Sequence, residues 1–568
     1  MSTRFSKALL TFELLSFRVL LLCLALPFAS EALFASSSPT LDIPQWNVFE
    51  AQFTSTVMYQ NPFQDVTVTV EFTAPDGKHL SQAAFWDGAN VWRLRFSPEK
   101  IGEWSYQTHT SPGKDAGLDN QTGAFRCTPY TGKNALFQHG SIRVSANHRH
   151  LESADGTPFF WLSDTVWNGP LKADPASWQT YLNDRQAKKF TVVQFVMTQW
   201  VASAANADGR LAYEGVSPVS IDPVFFQWMD AQFRAINDHG LVAAPVMIWT
   251  APWSPFAKFL NPGNSLPEDQ IVRIARYMAA RYGAYQVIWI LAGDGDYQNE
   301  EAERWKRIGE AVFGDNPSRV VTIHPAGQMW VGATFANEPW FGLIGYQSGH
   351  SDASQQLRWL WQGPPSTEWT ANPVHPIINL EPNYENHMNF NSHLRFDAHA
   401  VRRAAYWSLL CSPPAGVTYG AHGIWSWETR PAVPMNHPDT GVAQPWFDAI
   451  HLPGSSNMKY LYELFTSLSW WTLLPDPALI VDQPGDRDAA TFVAAARSQK
   501  RDWALLYFPV GQTVHLKVDE LMSPNLVRWF NPRSGQWSGT SSLSTQESTI
   551  SPPDNQDWIA WIGADRSN

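Results

Sequence analysis

Two apolar runs with a helical stretch between them decide the fold of this chain: FTVVQFVMT (190–198), DPVFFQWMDAQFRAI (222–236) and LVAAPVMIW (241–249). The two runs are nearly continuous in apolar and β-branched residues, which is typical of strands buried on both faces. In the stretch between them, the apolar residues at helical spacing are Phe226, Met229, Phe233 and Ile236. A strand, a helix and a second strand in this order predict a parallel pair joined by a crossover helix.

The same alternation of strand and helix extends from about residue 136 to residue 465, and eight strands can be counted in it. They are 158–164, 190–198, 241–249, 286–294, 319–325, 341–347, 376–381 and 415–425. Helices fit between them, since Asp174-Pro175 and Asp222-Pro223 predict capped first turns. Eight such units in one segment favour an α/β fold of the (β/α)8 TIM barrel type over an open sheet.

The two flanks of this segment follow a different pattern. From about 44 to 135, short alternating runs are separated by turn signals such as Pro75-Asp76-Gly77. Short strands also return in the segment 470–568. We therefore predict an N-terminal and a C-terminal β-sandwich domain, the second serving as a sugar-binding appendage or as a lid packed on the barrel.

The first residues read as a targeting segment. Three basic residues precede a short apolar run, Val19 to Ala29, and small residues follow it. This order is typical of a cleaved export signal, which we place at residues 1–32. An uncleaved anchor starting near Leu9 is the alternative. We expect a secreted or periplasmic protein with no stable membrane span once the signal is cleaved.

The composition indicates which class of molecule this protein binds. The 568 residues include 40 Lys and Arg against 52 Asp and Glu, a formal net charge of −12, which argues against a nucleic-acid partner. Charged residues make up only 16% of the chain, while aromatic residues make up 14% and include 29 Trp. A carbohydrate substrate fits better, because its hydroxyls are uncharged and its C–H faces stack on aromatic rings.

Two carboxylates end predicted barrel strands. Asp294 ends the fourth strand in phase with Ile290 and Ala292, because alternate residues of a strand share a face. If that face points inward, Asp294 reaches the mouth of the barrel, where the active sites of TIM barrels lie. Glu381 ends the seventh strand in phase with Asn379, and we expect it to meet the same mouth.

A pair of carboxylates across a barrel mouth has the groups that hydrolysis of a glycosidic bond needs. One, protonated, donates to the leaving oxygen, and the other, ionised, acts on water or on the anomeric carbon. We assign Asp294 as the acid and Glu381 as the base or nucleophile. The rival carboxylates are Asp296, Glu385 and Glu428.

Other polar and aromatic residues lie at predicted strand ends and are candidates for binding a sugar. They are Asp164, Trp167, Gln199, Trp200, Trp249, His324, Gln347, His350, Glu385, Tyr419, His422 and Trp425. A set of this kind predicts a polar pocket with aromatic walls.

Four segments resemble a known family. They are FFWLSDTVWN (159–168), VIWILAGD (287–294), NLEPNYEN (379–386) and TYGAHGIWSW (418–427), and they are similar to the apiosidase-like glycoside hydrolases. The resemblance implies a (β/α)8 catalytic core and carries the family's catalytic Asp and Glu onto Asp294 and Glu381. The family usually has Gly at the position of Ala292 and often a basic residue at that of Gly295, so the substrate contact beside the acid differs here.

The flanks resemble the domains that accompany such barrels. WNVFEAQF (46–53), YQNPFQDV (59–66) and the run 85–106 are similar to an N-terminal β-sandwich, and residues 470–562 are similar to a collagen-binding-type β-sandwich. Nothing in the residues themselves predicts collagen as a ligand, and a shared fold does not identify a substrate.

Other catalytic classes leave no pattern in the sequence. It has no HExxH, no GxSxG, no phosphate loop and no dinucleotide fingerprint. The segment 294–305 begins like a calcium loop but ends on Trp305 where a Glu is required. We predict no cofactor and no metal. Two functions remain open: an exported glycoside hydrolase acting on a side chain of a plant or microbial polysaccharide, and a catalytically silent carbohydrate-binding or scaffolding protein.

Overall fold

The structure is a computed structural model. It describes residues 41–251, 259–315, 319–522, 524, 526–543 and 549–564. The predicted export signal at residues 1–32 lies outside the described residues. Among the described residues, no helix combines the length and the apolar character that crossing a membrane requires.

The centre of the fold is one sheet of eight parallel strands. In chain order they are Trp161–Thr165, Val192–Val196, Val242–Trp249, Trp289–Gly295, Val321–Pro325, Ile344–Gln347, Ile377–Glu381 and Pro414–Gly420. In space the sheet runs from the fifth strand back to the first, then through the eighth, seventh and sixth. The fifth and sixth strands meet through Gly342 N–H, which donates to Val321 O at 2.8 Å. The predicted (β/α)8 barrel is confirmed.

All eight predicted strands are present, each shorter than predicted, and the last one stops well before its predicted end at Trp425. It ends at Gly420. The chain then turns, with Ile424 N–H donating to Ala421 O at 3.1 Å and Gly423 at a φ of 107°. His422 and Trp425 therefore lie in a turn beyond the strand, because a glycine in this left-handed region of backbone space ends extended pairing.

Helices cover the outside of the barrel. Seven of them are Pro175–Ala187, Pro223–Asp238, Glu268–Tyr282, Asn299–Phe313, Ser354–Gln362, Ala398–Leu410 and Pro453–Thr466. The predicted caps are present, since Asp174 accepts from Ala176 N–H and Asp222 accepts from Val224 N–H. Short helices of four or five residues are Pro62–Asp65, Ala135–His139, Gly169–Lys172, Pro262–Ser265, Gly332–Phe335, Pro364–Thr367 and Trp446–Ala449.

Two sheets form the N-terminal domain, and a third, with the order Pro158–Phe159, Leu151–Ser153 and Ile142–Val144, follows them in the chain before the first barrel strand. The first has the spatial order Leu41–Pro44, Thr122–Thr128, Gly102–Ser111, Thr67–Thr73 and His79–Ala83, and the second has the order Phe49–Thr54, Val91–Phe96 and Phe85–Gly88. Phe72 from one sheet stacks on Phe96 from the other with ring centroids 4.1 Å apart. The sheets therefore pack face to face as the predicted β-sandwich.

A second sheet domain follows the barrel. Its six-stranded antiparallel sheet has the order Leu473–Pro475, Ala494–Ser498, Trp503–Phe508, Trp558–Gly563, Leu526–Asn531 and Gln536–Ser542, and a short pair joins Val514–His515 to Thr549–Ile550. Val514 and Ile550 lie in one buried cluster with Leu506 and Val527 of the larger sheet. The C-terminal β-sandwich is confirmed.

Buried ion pairs join the N-terminal domain to the barrel. Arg95 of a sandwich strand binds both oxygens of Asp230 at 2.8 and 2.7 Å, and Arg281 binds the same two oxygens at 2.8 and 2.6 Å. Arg281 also lies 2.8 Å from Asp87 of the sandwich. We name Asp87, Arg95, Asp230 and Arg281 the arginine cluster. Each guanidinium has carboxylate partners, as buried charges require.

A second set of buried ionic contacts joins the C-terminal domain to the barrel. Arg402, on helix Ala398–Leu410, binds both oxygens of Asp557 at 2.7 and 2.9 Å. Asp557 also accepts from Arg533 at 3.0 Å. The Trp407 indole N–H on the same helix donates to Phe492 O at 3.0 Å. The C-terminal domain is thus fastened to the helix that connects the seventh and eighth barrel strands.

Candidate active site

Glu381 lies between two histidines at the end of the seventh barrel strand. His350 Nε2 is 2.9 Å from Glu381 Oε1, and His324 Nε2 is 3.1 Å from Oε2. Burial raises the pKa of this carboxyl, but the two imidazoles, His324 and His350, outweigh burial and lower the pKa to about 2. Glu381 is therefore ionised at neutral pH although it is only 7% exposed.

The side chain of Glu381 reaches the mouth although the strand does not keep the regular alternation that the prediction assumed. The Asn379 side chain, which should share its face, points outward, because its amide donates to Ser408 on helix Ala398–Leu410 at 3.0 Å. The pairing register with the sixth strand shifts between Asn379 and Glu381. A bulge of this kind turns a side chain away from strict alternation, so the strand phase used in the prediction was wrong even though the carboxylate reaches the mouth.

Asp294 is the one residue of the fourth strand that is partly exposed, and the other six are buried. Its backbone has a φ of 52°, and the register with the fifth strand shifts on both sides of Gly293. A non-glycine residue in this left-handed region costs free energy and is concentrated at functional sites. Simple alternation therefore does not determine the direction of Asp294.

The neighbours of Asp294 place it beside an aromatic wall. A Cβ atom on Gly293 would lie 2.5 Å from the Trp249 ring, so the indole packs directly on the backbone before Asp294. Burial raises the pKa of the Tyr297 hydroxyl, and the charge of Asp294 raises it further. The backbone just before the candidate acid thus packs on Trp249, and the charge of the acid acts on a buried tyrosine.

Three tryptophans form one wall of the mouth. The ring centroids of Trp249 are 5.2 Å from Trp167 and 4.5 Å from Trp200. Trp167 also meets the His324 ring edge-on at 5.5 Å. The Trp200 indole is fixed by its hydrogen bond to Asn168 Oδ1 at 2.7 Å.

Histidines and one further tryptophan form the opposite wall. His350 stacks on His387 at 4.4 Å, and His387 meets His422 at 5.2 Å. The Trp425 indole donates to His422 Nδ1 at 3.1 Å, and its ring lies 5.2 Å from His437. His437 lies 6.0 Å from Trp200 and so connects this wall to the first one.

Together these contacts close into a continuous circuit. We name it the mouth ring, and its members in order are Trp167, Trp249, Trp200, His437, Trp425, His422, His387, His350, Glu381 and His324. Seven residues predicted to bind substrate belong to it: Trp167, Trp200, Trp249, His324, His350, His422 and Trp425. Their roles in binding stay predictions.

Asp164 lies apart from the mouth ring. It is completely buried, and its carboxylate accepts from Arg185 at 2.6 Å and from Tyr181 at 2.7 Å. Both partners lie on the outer helix Pro175–Ala187. This geometry supports an internal ion pair between strand and helix, and it gives no support to a substrate contact.

Glu385 and Tyr419 are hydrogen-bonded to each other. The Tyr419 hydroxyl donates to Glu385 at 2.6 Å, and Gly454 N–H in the first turn of helix Pro453–Thr466 donates to the other carboxylate oxygen at 3.0 Å. Burial raises the pKa of Glu385. The structure thus places both residues at a helix start and outside the mouth ring.

The two glutamines that were predicted to bind substrate differ in their hydrogen bonding. Gln199 braces its own loop, donating to Tyr213 O at 2.8 Å and accepting from Ala212 N–H at 2.9 Å. Gln347 ends the sixth strand, and its buried Oε1 has no hydrogen-bond partner among the described residues. Only Gln347 therefore has a side-chain atom to offer a ligand in this arrangement.

The remaining rival carboxylates lie outside the mouth ring. Asp296 is exposed. Glu428 is half-buried, and burial raises its pKa while the charge of Lys172 opposes the rise.

Sequence reasoning missed three residues of this region: His387, His437 and Tyr384. Burial and the charge of Glu381 raise the pKa of the Tyr384 hydroxyl, and its ring lies 4.5 Å from His350. All three lie in the long segments that follow the seventh and eighth strands. Loops at the carboxyl ends of barrel strands carry the active sites of this fold, so loop length was the available signal.

Several buried polar atoms around Glu381 are left without partners. Trp249 Nε1 and His324 Nδ1 have no hydrogen-bond partner in the part of the chain that the structure describes, like Gln347 Oε1. Buried polar atoms are nearly always paired, so unpaired ones around an ionised carboxylate are suited to a ligand rich in hydroxyls. Within the same described residues, no group of three or more His, Cys, Asp or Glu side chains is arranged to hold a metal ion.

Comparison with known structures shows the fold. A glycoside hydrolase of family 5 from Bacteroides vulgatus is 22% identical, covers 76% of this chain and 95% of its own, and superposes with a TM-score of 0.67. A second protein of that organism, assigned to the glycoside hydrolases, is 17% identical, covers 92% and 100%, and has a TM-score of 0.67. No curated protein matches the sequence.

Family models match all three domains. Residues 42–111 match a domain of unknown function, DUF5060, and residues 474–562 match a proposed collagen-binding domain of a collagenase. Residues 145–472, more than half of the chain, match the apiosidase-like catalytic domain. The chain therefore belongs to the apiosidase-like family and is a glycoside hydrolase.

Proposed function

We propose that the protein is an exported enzyme that cleaves an O-glycosidic bond in a side chain of a plant or microbial polysaccharide, using Asp294 and Glu381. The observation that carries this proposal is Glu381 itself, an ionised carboxylate at the mouth of a barrel with unpaired polar atoms around it. A group of this kind can act on water or on an anomeric carbon.

The two carboxylates differ in burial. Glu381 is buried and receives contacts from two imidazoles, which favour its charged form. Asp294 is partly exposed and follows Gly293, on whose backbone the Trp249 indole packs. We assign Asp294, the carboxyl that ends the fourth strand, to donate a proton to the leaving oxygen.

The walls of the mouth support a neutral sugar as substrate. Aromatic rings dominate the mouth ring, and Glu381 is its one carboxylate. The flat faces of indoles suit the C–H faces of a sugar ring, and unpaired N–H and C=O groups suit its hydroxyls. Export to the periplasm or the outside of the cell, where polysaccharides are found, is supported by the basic and apolar pattern of residues 1–32.

Release of sugar from glycans tests the proposal. The purified mature chain, its Asp294→Asn variant and a matched Asp238→Asn variant are incubated with a panel of pectic and hemicellulosic glycans. Asp238 is exposed at the end of helix Pro223–Asp238, so this variant should match the parent. We expect release by the parent and the control and none by Asp294→Asn. Equal release by all three would overturn the assignment of Asp294, and binding without release would favour a silent carbohydrate-binding protein.

A further inference from the structure

His350 is the best-placed hydrogen-bond donor to Glu381. It lies between the sixth barrel strand and helix Ser354–Gln362, and its Nε2 atom is 2.9 Å from Glu381 Oε1. His324 is at a similar distance, 3.1 Å, but its N–H direction falls outside good hydrogen-bond geometry. The orientation of the carboxylate therefore depends mainly on His350.

Packing fixes the His350 ring. His387 stacks on it at 4.4 Å, the Tyr384 ring lies 4.5 Å away and the Phe390 ring meets it edge-on at 5.9 Å. The backbone is fixed as well, since Phe390 N–H donates to His350 O at 2.9 Å. A donor held by its neighbours in this way can orient a catalytic group.

The hydrogen-bonding pattern selects one tautomer of His350. Its Nε2 faces a carboxylate oxygen, which only accepts hydrogen bonds, so Nε2 carries the proton. Its Nδ1 is buried and has no partner among the described residues. Nδ1 has no acceptor for a proton among the described residues, so the nitrogen that donates is Nε2.

We propose that His350 is a positioning residue, whose Nε2–H donates to Glu381 and aims its carboxylate. This inference rests on the proposed function of Glu381, and it replaces the substrate contact expected for His350 from the sequence. It also gives the half-exposed Phe390 loop a function, because that loop holds the donor in place.

A spectroscopic experiment tests the tautomer without any substrate. In protein labelled with ¹⁵N in its histidine side chains, long-range ¹H–¹⁵N correlation spectra distinguish Nε2–H from Nδ1–H imidazoles. Loss of one signal set in His350→Gln assigns the residue. We expect a proton on Nε2 of His350, and a ring with a proton on Nδ1 and a bare Nε2 would overturn the proposal.

Kinetics test the positioning role on the glycan that the parent hydrolyses. We expect His350→Phe to lower kcat by on the order of 10- to 100-fold, as when a group that orients a functional side chain is lost, with KM little changed. His350→Gln keeps an N–H donor and should recover most of kcat. His393→Gln, exposed in the loop that carries Phe390, is the matched control.

The outcomes separate the possible roles. A raised KM with unchanged kcat would make His350 a substrate contact, and a loss in His350→Gln as large as in His350→Phe would make it a proton carrier; both overturn the proposal. If the parent releases no sugar from any glycan, the proposed function fails, while the tautomer experiment still decides the state of His350.

Discussion

The mouth ring and the arginine cluster are both buried and polar, but they differ in whether their buried polar atoms have hydrogen-bond or ionic partners. In the arginine cluster, Arg95 and Arg281 share both oxygens of Asp230, and Asp87 takes a further contact. In the mouth ring, Trp249 Nε1 and His324 Nδ1 have no partner among the described residues.

The difference separates stability from function. A fully paired cluster holds two domains together, because loss of any member leaves a buried charge uncompensated. Unpaired polar atoms lower stability and are retained where a ligand completes them. Changes in the arginine cluster should therefore affect unfolding, and changes in the mouth ring should affect turnover or binding.

The largest effect is expected at Glu381. Glu381→Gln preserves shape but removes the charge, so kcat for sugar release should fall by about 10⁴-fold, the upper range for loss of an acid–base group. The melting temperature should fall by no more than the few degrees that the ionisation of Glu381 contributes. Retained activity, or failure of the variant to fold, would contradict the assignment of the mouth ring to function and not to stability.

The next effect concerns stability. Asp230→Ala leaves the guanidinium groups of Arg95 and Arg281 short of a carboxylate, which should cost about 3 kcal/mol of unfolding free energy. Thermal denaturation followed by circular dichroism measures it. Arg307→Gln, which removes an exposed 2.8 Å ion pair with Glu268, is the control and should leave the melting temperature unchanged. Equal shifts in the two variants would contradict the distinction.

A smaller effect is expected on substrate affinity. Trp249→Phe keeps an aromatic face and removes the unpaired Nε1–H, so KM should rise about tenfold, the equivalent of one hydrogen bond. Trp289→Phe is the matched control, because that indole faces Phe313 on an outer helix. We expect its KM to equal that of the parent, and a rise of the same size there would assign the effect to packing.

The smallest effect is a pH dependence of stability. The folded-state pKa of Glu381, about 2, is below its ordinary value of 4.5. Its ionisation therefore stabilises the fold above about pH 4.5, and that contribution is lost as the pH falls toward 2. The melting temperature of the parent minus that of Glu381→Gln should shrink by a few degrees from pH 6 to pH 3. A difference that grows on acidification would exclude the depressed pKa.

The barrel could be predicted because its strands are apolar runs, such as Val242–Trp249, separated by amphipathic helices. The direction of side chains could not be predicted at the points that matter. Asn379 points to a helix while Glu381 enters the mouth, because a bulge lies between them. Bulges and the left-handed backbone of Asp294 arise from tertiary contacts and leave no periodic trace in the sequence.

The site could be predicted in part for the same reason. Residues at strand ends, such as Trp249 and His350, reach the mouth ring. Asp164 does not, since Arg185 from an outer helix binds its carboxylate, and sequence spacing alone does not reveal such a partner. His387 and His437 enter from loops whose course depends on the folded barrel.

The contact of Arg402 with Asp557 limits where the catalytic barrel can be separated from the C-terminal domain. Arg402 lies within the family match at residues 145–472, and Asp557 lies beyond it. A catalytic barrel excised at those limits would keep a buried guanidinium and discard the carboxylate that neutralises it. We therefore expect the stable folding unit to extend beyond the residues 145–472 that match the family model. A domain exchanged between relatives would have to include both Arg402 and Asp557.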